Sequence, residues 1–133
     1  MKHGDISNHV PPTIIIRVEE TLLKLKQKKI LGVPIKNNYE PVENTVSLII
    51  RLSMKTDYRV KLVCEAQNFN LFNKILNELN LPFTHLSSYS EQTIVNFLNN
   101  GIYYCYIDDD LDRIGRVNHK SSYTVAEFTN LVL

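Results

Sequence analysis

Thr13-Ile14-Ile15-Ile16-Arg17-Val18 is an unbroken β-branched run that carries one charge near its end. It lacks the apolar–polar alternation of a strand with one wet face. It therefore predicts a strand covered on both sides, as in a parallel sheet. Upstream, residues 1–12 are polar and end in Pro11-Pro12, which blocks a helix, so they read as a flexible lead-in. Downstream, Tyr58-Arg59-Val60-Lys61-Leu62-Val63-Cys64, Pro82-Phe83-Thr84-His85-Leu86 and Ile102-Tyr103-Tyr104-Cys105-Tyr106-Ile107 read as three more strands.

Helical spacing fills the gaps between these runs. A helix is expected from Val42 to about Thr56, with Val46, Ile49, Ile50 and Leu52 or Ser53 inward. Another is expected over 68–79, with Phe72, Ile75, Leu76 and Leu79 inward and Asn80 as a left-handed residue past its end. Ser90 is a good N-cap for a third, which Asn99-Asn100-Gly101 stops. Residues 123–133 suit a last helix, with Val125, Phe128 and Leu131 or Val132 packed down. The stretch 22–35 reads as an irregular turn or small hairpin, and 37–41 as a loop. Alternating strands and helices imply right-handed crossovers. The expected fold is α/β: one three-layer Rossmann-like parallel sheet over residues 13–133, with helices on both faces and no cap domain.

The 133 residues suffice for one domain with a core that needs no staple. Apolar residues make up 44% and charged residues 22%, which excludes disordered and fibrous classes. Fifteen basic residues against fourteen acidic ones give a net charge of +1, unlike the basic excess of a chain built to wrap nucleic acid. Cys64 and Cys105 both lie in apolar runs and read as buried thiols in a reducing compartment. The chain shows no signal-peptide pattern and no apolar run of membrane-spanning length, so a cytoplasmic protein without membrane contact is expected. Frequent Asn, Ile and Lys fit an A/T-rich coding genome, such as that of a virus, a phage or a low-GC bacterium.

Ligands of parallel sheets bind at the carboxyl ends of the strands. After the first strand stand Arg17, Glu19 and Thr21, and after the second Cys64 and Glu65. After the fourth, Asp108, Asp109, Asp110 and Asp112 place four carboxylates within five residues. Such a cluster either holds a hard cation such as Mg2+ or forms an Asp-rich solvated turn.

Three stretches resemble the haloacid dehalogenase-like (HAD-like) phosphohydrolase superfamily. Ile14-Ile15-Ile16-Arg17-Val18-Glu19-Glu20-Thr21-Leu22-Leu23 stands where that family carries Asp-x-Asp-x-Thr, often with Gly before the Thr. Leu62-Val63-Cys64-Glu65-Ala66 stands where the second motif ends in Ser or Thr. Tyr106-Ile107-Asp108-Asp109-Asp110-Leu111-Asp112-Arg113-Ile114 matches the acidic fourth motif. The resemblance covers residues 13–117 and implies a Mg2+ site at Asp108, Asp109 and Asp112.

It also implies a degenerate member. The nucleophile position is Arg17, which has no lone pair to attack phosphorus. The acid/base position is Glu19, the hydroxyl position is Cys64, and no Lys or Arg precedes Arg113 where the third motif places one. No catalytic residue is expected at Arg17, Glu19, Thr21 and Cys64. The expected function is that of a catalytically inactive domain acting by protein binding or self-association. In this reading Arg17 pairs with Asp108 or Asp109 and stands in for the metal, so that no cofactor is needed; Mg2+ enters only if the acids are not so paired. One alternative is a Mg2+-dependent phosphohydrolase with altered catalytic residues, built on Glu19, Asp108, Asp109 and Asp112. The other is a nucleotide- or nucleic-acid-binding module, for which Lys24, Lys26, Lys28 and Lys29, at the family's flap position, form a candidate contact surface.

Overall fold

A computed structural model describes residues 13–26, 29–30, 33–34, 39–55, 58–83, 85–88, 90–100 and 104–132. The expected lead-in at residues 1–12 lies outside the described residues, as does Lys28. In chain order the elements are β1 (Thr13–Arg17), β2 (Leu23–Leu25), β3 (Lys29–Ile30), β4 (Val33–Pro34), β5 (Tyr39–Pro41), α1 (Glu43–Ser53), β6 (Arg59–Cys64), α2 (Phe69–Leu79), β7 (His85–Ser88), α3 (Glu91–Asn100), β8 (Tyr104–Ile107), α4 (Leu111–Val117), β9 (Ser122–Tyr123) and α5 (Val125–Val132).

Five strands form one sheet in the order β7-β6-β1-β8-β9, and every neighbouring pair is parallel. β1 is central, and all five of its residues are buried. Its pleat divides the core in two. Ile14 and Ile16 join Leu48, Ile49 and Leu52 of α1, Phe72 and Leu76 of α2, and Val125 and Phe128 of α5. Ile15 joins Ile94 and Leu98 of α3 and Val117 of α4. Helices therefore cover both faces, and a Rossmann-like α/β fold is the architecture observed. Among the described residues, no helix is long and apolar enough to cross a membrane.

The described residues between β1 and α1 form two small antiparallel ladders, β2 with β5 and β3 with β4. The stretch expected to be a loop at 37–41 thus contributes a strand. The third main strand begins later than its apolar residues suggest, at His85 rather than Pro82. Two elements had no counterpart in the sequence reading: α4 and the two-residue β9, which pairs with Tyr106 and Ile107. The inward face of α1 is also rotated. Thr45 and Leu48 are buried beside Ile49 and Leu52, while Ile50 is 41% exposed. Thr45 is drawn in by a 2.5 Å hydrogen bond from its hydroxyl to the Thr21 carbonyl. Leu79, expected inward, is exposed, as is Leu131, one of the two residues of which either was expected inward. Asn80 does close α2 in the left-handed conformation, at φ 55°.

Candidate functional site

The order β7-β6-β1-β8-β9 reverses direction between β1 and β8. In open α/β sheets the ligand crevice lies at that switch point, outside the strand carboxyl ends. On the β8 side the last registered pair is Ile16 with Ile107, so Arg17, still paired with Val63 of β6, and Asp108 follow it on neighbouring strands. Beyond Arg17 the chain makes one tight turn: the amides of Leu22 and Leu23 both donate to the Val18 carbonyl, at 3.0 and 2.9 Å. This turn returns Thr21 to the crevice, fully buried.

Glu20 sits within the turn at φ 65°. A Cβ in that region costs about 1–2 kcal/mol relative to the right-handed form, and glycine escapes the penalty. Glu20→Gly is therefore expected to raise stability by up to about 1 kcal/mol, once the extra unfolded-state freedom of glycine is deducted. Urea unfolding checks this; a loss of stability would mean that the Glu20 side chain holds the turn.

Asp108 is completely buried. Its Oδ1 accepts from the Thr21 hydroxyl at 3.2 Å, the Asp110 amide at 2.9 Å and Arg113 Nη2 at 3.1 Å. Its Oδ2 accepts from the Tyr106 hydroxyl at 2.6 Å and Arg113 Nε at 2.7 Å. The same guanidinium reaches the Glu19 carbonyl at 3.2 Å and Asp110 Oδ2 at 3.2 Å. Four oxygens from two chain segments thus surround one cation. Burial works against the Arg113 charge, but the hydrogen bonds to Asp108 and the charges of Asp108 and Asp110 outweigh it and hold its pKa above the ordinary value.

Arg113 therefore stands where Arg17 was expected. The Arg17 guanidinium, itself buried, turns toward β6: Nε lies 2.9 Å from Glu19 Oε1 and Nη2 lies 3.5 Å from Glu65 Oε2. Glu19 Oε2 accepts from the Glu65 amide and Asn68 Nδ2, both at 2.8 Å. The physical reason is competition. Arg113 already fills the space around Asp108, and Glu65 comes within reach from the end of β6. Cys64 is buried beside this cluster; burial, then the Glu19 charge, push its thiol up to about 12 against the opposing pull of Arg17. It is a thiol, not a thiolate, at neutral pH.

The other acids separate. Asp109 Oδ1 accepts from the Val125 amide at 2.9 Å and so tethers the loop after β8 to the start of α5, while its own amide donates to Thr21 Oγ1 at 3.0 Å. Asp110 is the N-cap of α4, accepting from the amides of Asp112 and Arg113 at 2.9 and 3.2 Å. Its bond from the Arg113 backbone, with the charge of Arg113, holds its carboxyl below the usual range. Asp112 is exposed in the first turn of α4, where a negative charge suits the helix dipole. Among the described residues, no group of three or more His, Cys, Asp or Glu side chains is placed to hold a metal ion.

The structure thus brings Arg17, Glu19, Thr21, Cys64 and Asp108 together at the strand ends and leaves Asp112 apart. Lys24 lies away on the β2–β5 ladder, Lys26 just past β2 approaches Glu40 at 4.0 Å, and Lys29 is on β3. Three contributors escaped the sequence reading: Arg113, the Tyr106 hydroxyl and Asn68. Tyr106 carried a signal, since positions two apart on a strand share a face. Arg113 carried a weaker one, three residues after a capping Asp. In comparisons with known proteins, no protein-family model, no curated protein and no solved structure matches this chain, so the HAD-like resemblance rests on its own residues and strand order.

Proposed function

We propose that this chain is a catalytically inactive HAD-like domain that acts by binding a protein partner or by self-association, with Arg113 as its resident cation. The observation that carries this reading is the saturation of Asp108. Both carboxylate oxygens are taken by protein donors, so a divalent ion would have to displace a charged guanidinium and two hydroxyl bonds to coordinate there. The donor set does not fit a metal as it stands.

Two further features support the reading. The position of the attacking carboxylate holds Arg17, engaged with Glu19 and Glu65. The position of the phosphoryl-binding hydroxyl holds the buried thiol of Cys64. The covalent route to phosphoryl transfer then lacks its nucleophile. Two unbridged cysteines accord with a reducing compartment such as the cytoplasm of a host cell.

Calorimetric titration with Mg2+ and an assay with p-nitrophenyl phosphate test the proposal. The expected results are no heat of binding at millimolar Mg2+ and no turnover. Mg2+-dependent turnover that disappears in Asp109→Asn would overturn it in favour of a hydrolase with altered catalytic residues.

A further inference from the structure

The crevice at the switch point is filled by protein, yet the molecule keeps a groove beside it. α1 and α5 cover the same face of the sheet and flank a cleft of about 470 Å³, within the usual range of small-molecule sites. Its floor is apolar, made by the buried Leu48 and Val125. Its walls are polar. Asn44, Ser47 and Arg51 form one stripe along α1, and Thr129 and Asn130 face them from α5. Asp109 closes the end nearest the sheet's carboxyl edge.

These groups are not spent on one another. Among the described residues, Arg51 makes no ion pair, although Asp108, Asp110, Glu19, Glu65, Glu40 and Glu91 are all paired to other cations. Asp109 gives Oδ1 to the Val125 amide and keeps Oδ2 for another donor. The α1 rise from residue 44 to residue 51 is about 10 Å, and the lining of the groove offers both a carboxylate acceptor, Asp109, and a guanidinium, Arg51. A guanidinium fork selects a carboxylate or a phosphate, and a lone carboxylate oxygen selects a hydroxyl or amine.

We infer that the α1–α5 groove binds a small oxyanion on a short hydroxylated stem, with the anionic head on Arg51 and a stem hydroxyl on Asp109. This site is separate from the Arg113-filled crevice and needs no metal.

The test is amide chemical-shift titration of the full chain with four probes: glycerol phosphate, glycerate, inorganic phosphate and glycerol. Glycerol phosphate or glycerate should shift the amides of residues 44–51 and 125–130, bind more tightly than phosphate alone, and leave glycerol without effect. Which of the two binds more tightly assigns the head as phosphate or carboxylate. Arg51 is exposed, so Arg51→Ala should fold normally and weaken binding about tenfold or more. Asp109→Asn, which keeps an oxygen for the Val125 amide, should reduce the advantage of the hydroxylated probes over phosphate. No shifts at millimolar probe, equal binding by Arg51→Ala, or shifts confined to the β2–β5 ladder would overturn the inference and leave the proposed inactivity standing. Turnover of bound glycerol phosphate would instead overturn the inactivity and leave the groove.

Discussion

Arg113→Ala is expected to cost about 3–5 kcal/mol of folding stability, the usual penalty for removing one partner of a buried pair. Asp108 has no contact with solvent, so its charge is tolerable only through its five donors. Ala removes two of those donors and the only positive charge among them. A stability of about 5–15 kcal/mol is typical for a domain, so the loss is a large share of the whole. The same deletion opens an all-oxygen cage: both oxygens of Asp108, Asp110 Oδ2 and the Glu19 carbonyl, the acceptors that Arg113 now binds. Those are hard donors of the kind Mg2+ takes. Millimolar Mg2+ should therefore stabilise Arg113→Ala and leave the native protein unchanged, by about 1.4 kcal/mol for each tenfold excess over the dissociation constant. Urea unfolding with and without Mg2+ measures both effects. The double variant Asp108→Asn with Arg113→Met separates pairing from packing: with the charge gone on both sides, it should be more stable than Arg113→Ala. A loss below about 1 kcal/mol in Arg113→Ala would show that the pair contributes little.

The sheet was legible in the sequence because burial on both faces leaves a plain mark. Ile14, Ile15 and Ile16 face two different cores, so none of them is free to be polar. β9 left no such mark. Ser122 and Tyr123 are only partly buried, and the strand exists because their backbone meets Tyr106 and Ile107. α4 was hidden for a different reason. Its seven residues include Gly115 and three charges, too short a run for Leu111, Ile114 and Val117 to stand out, and its cap Asp110 read as part of an acidic cluster. That cluster misled in a physical way. Four neighbouring carboxylates suggest one task, but the backbone turns sharply after β8 and sends Asp108 inward, Asp109 to α5 and Asp110 to α4. The expectation that Arg17 lies near Asp108 came from the family resemblance. The partner each one takes did not, because it depends on Glu65 and Arg113, which approach from the ends of other elements.

That distinction decides what Arg17→Asp should do. The substitution places a carboxylate where the resembled family carries its nucleophile. If the rest of the site matched that family, it would supply a nucleophile. The expected result is instead a loss of about 3–5 kcal/mol and no phosphatase activity. Arg17 is 2% exposed and lies against Glu19, which is 9% exposed. Replacing it removes the counter-charge of Glu19 and adds a like charge within the same buried cluster, near Glu65 and one strand from Asp108. Arg17→Met removes only the counter-charge, so it should cost less than Arg17→Asp. Adding Glu19→Gln to Arg17→Asp should recover at least about 1 kcal/mol, since the Gln oxygen still accepts from the Glu65 amide and Asn68 while the repulsion is gone. Urea unfolding of the three variants gives the order. Arg17→Asp as stable as the native chain would place the guanidinium outside any energetic role. Mg2+-dependent turnover by Arg17→Asp would show that the crevice still accepts a metal with Arg113 in place, which the saturated Asp108 argues against.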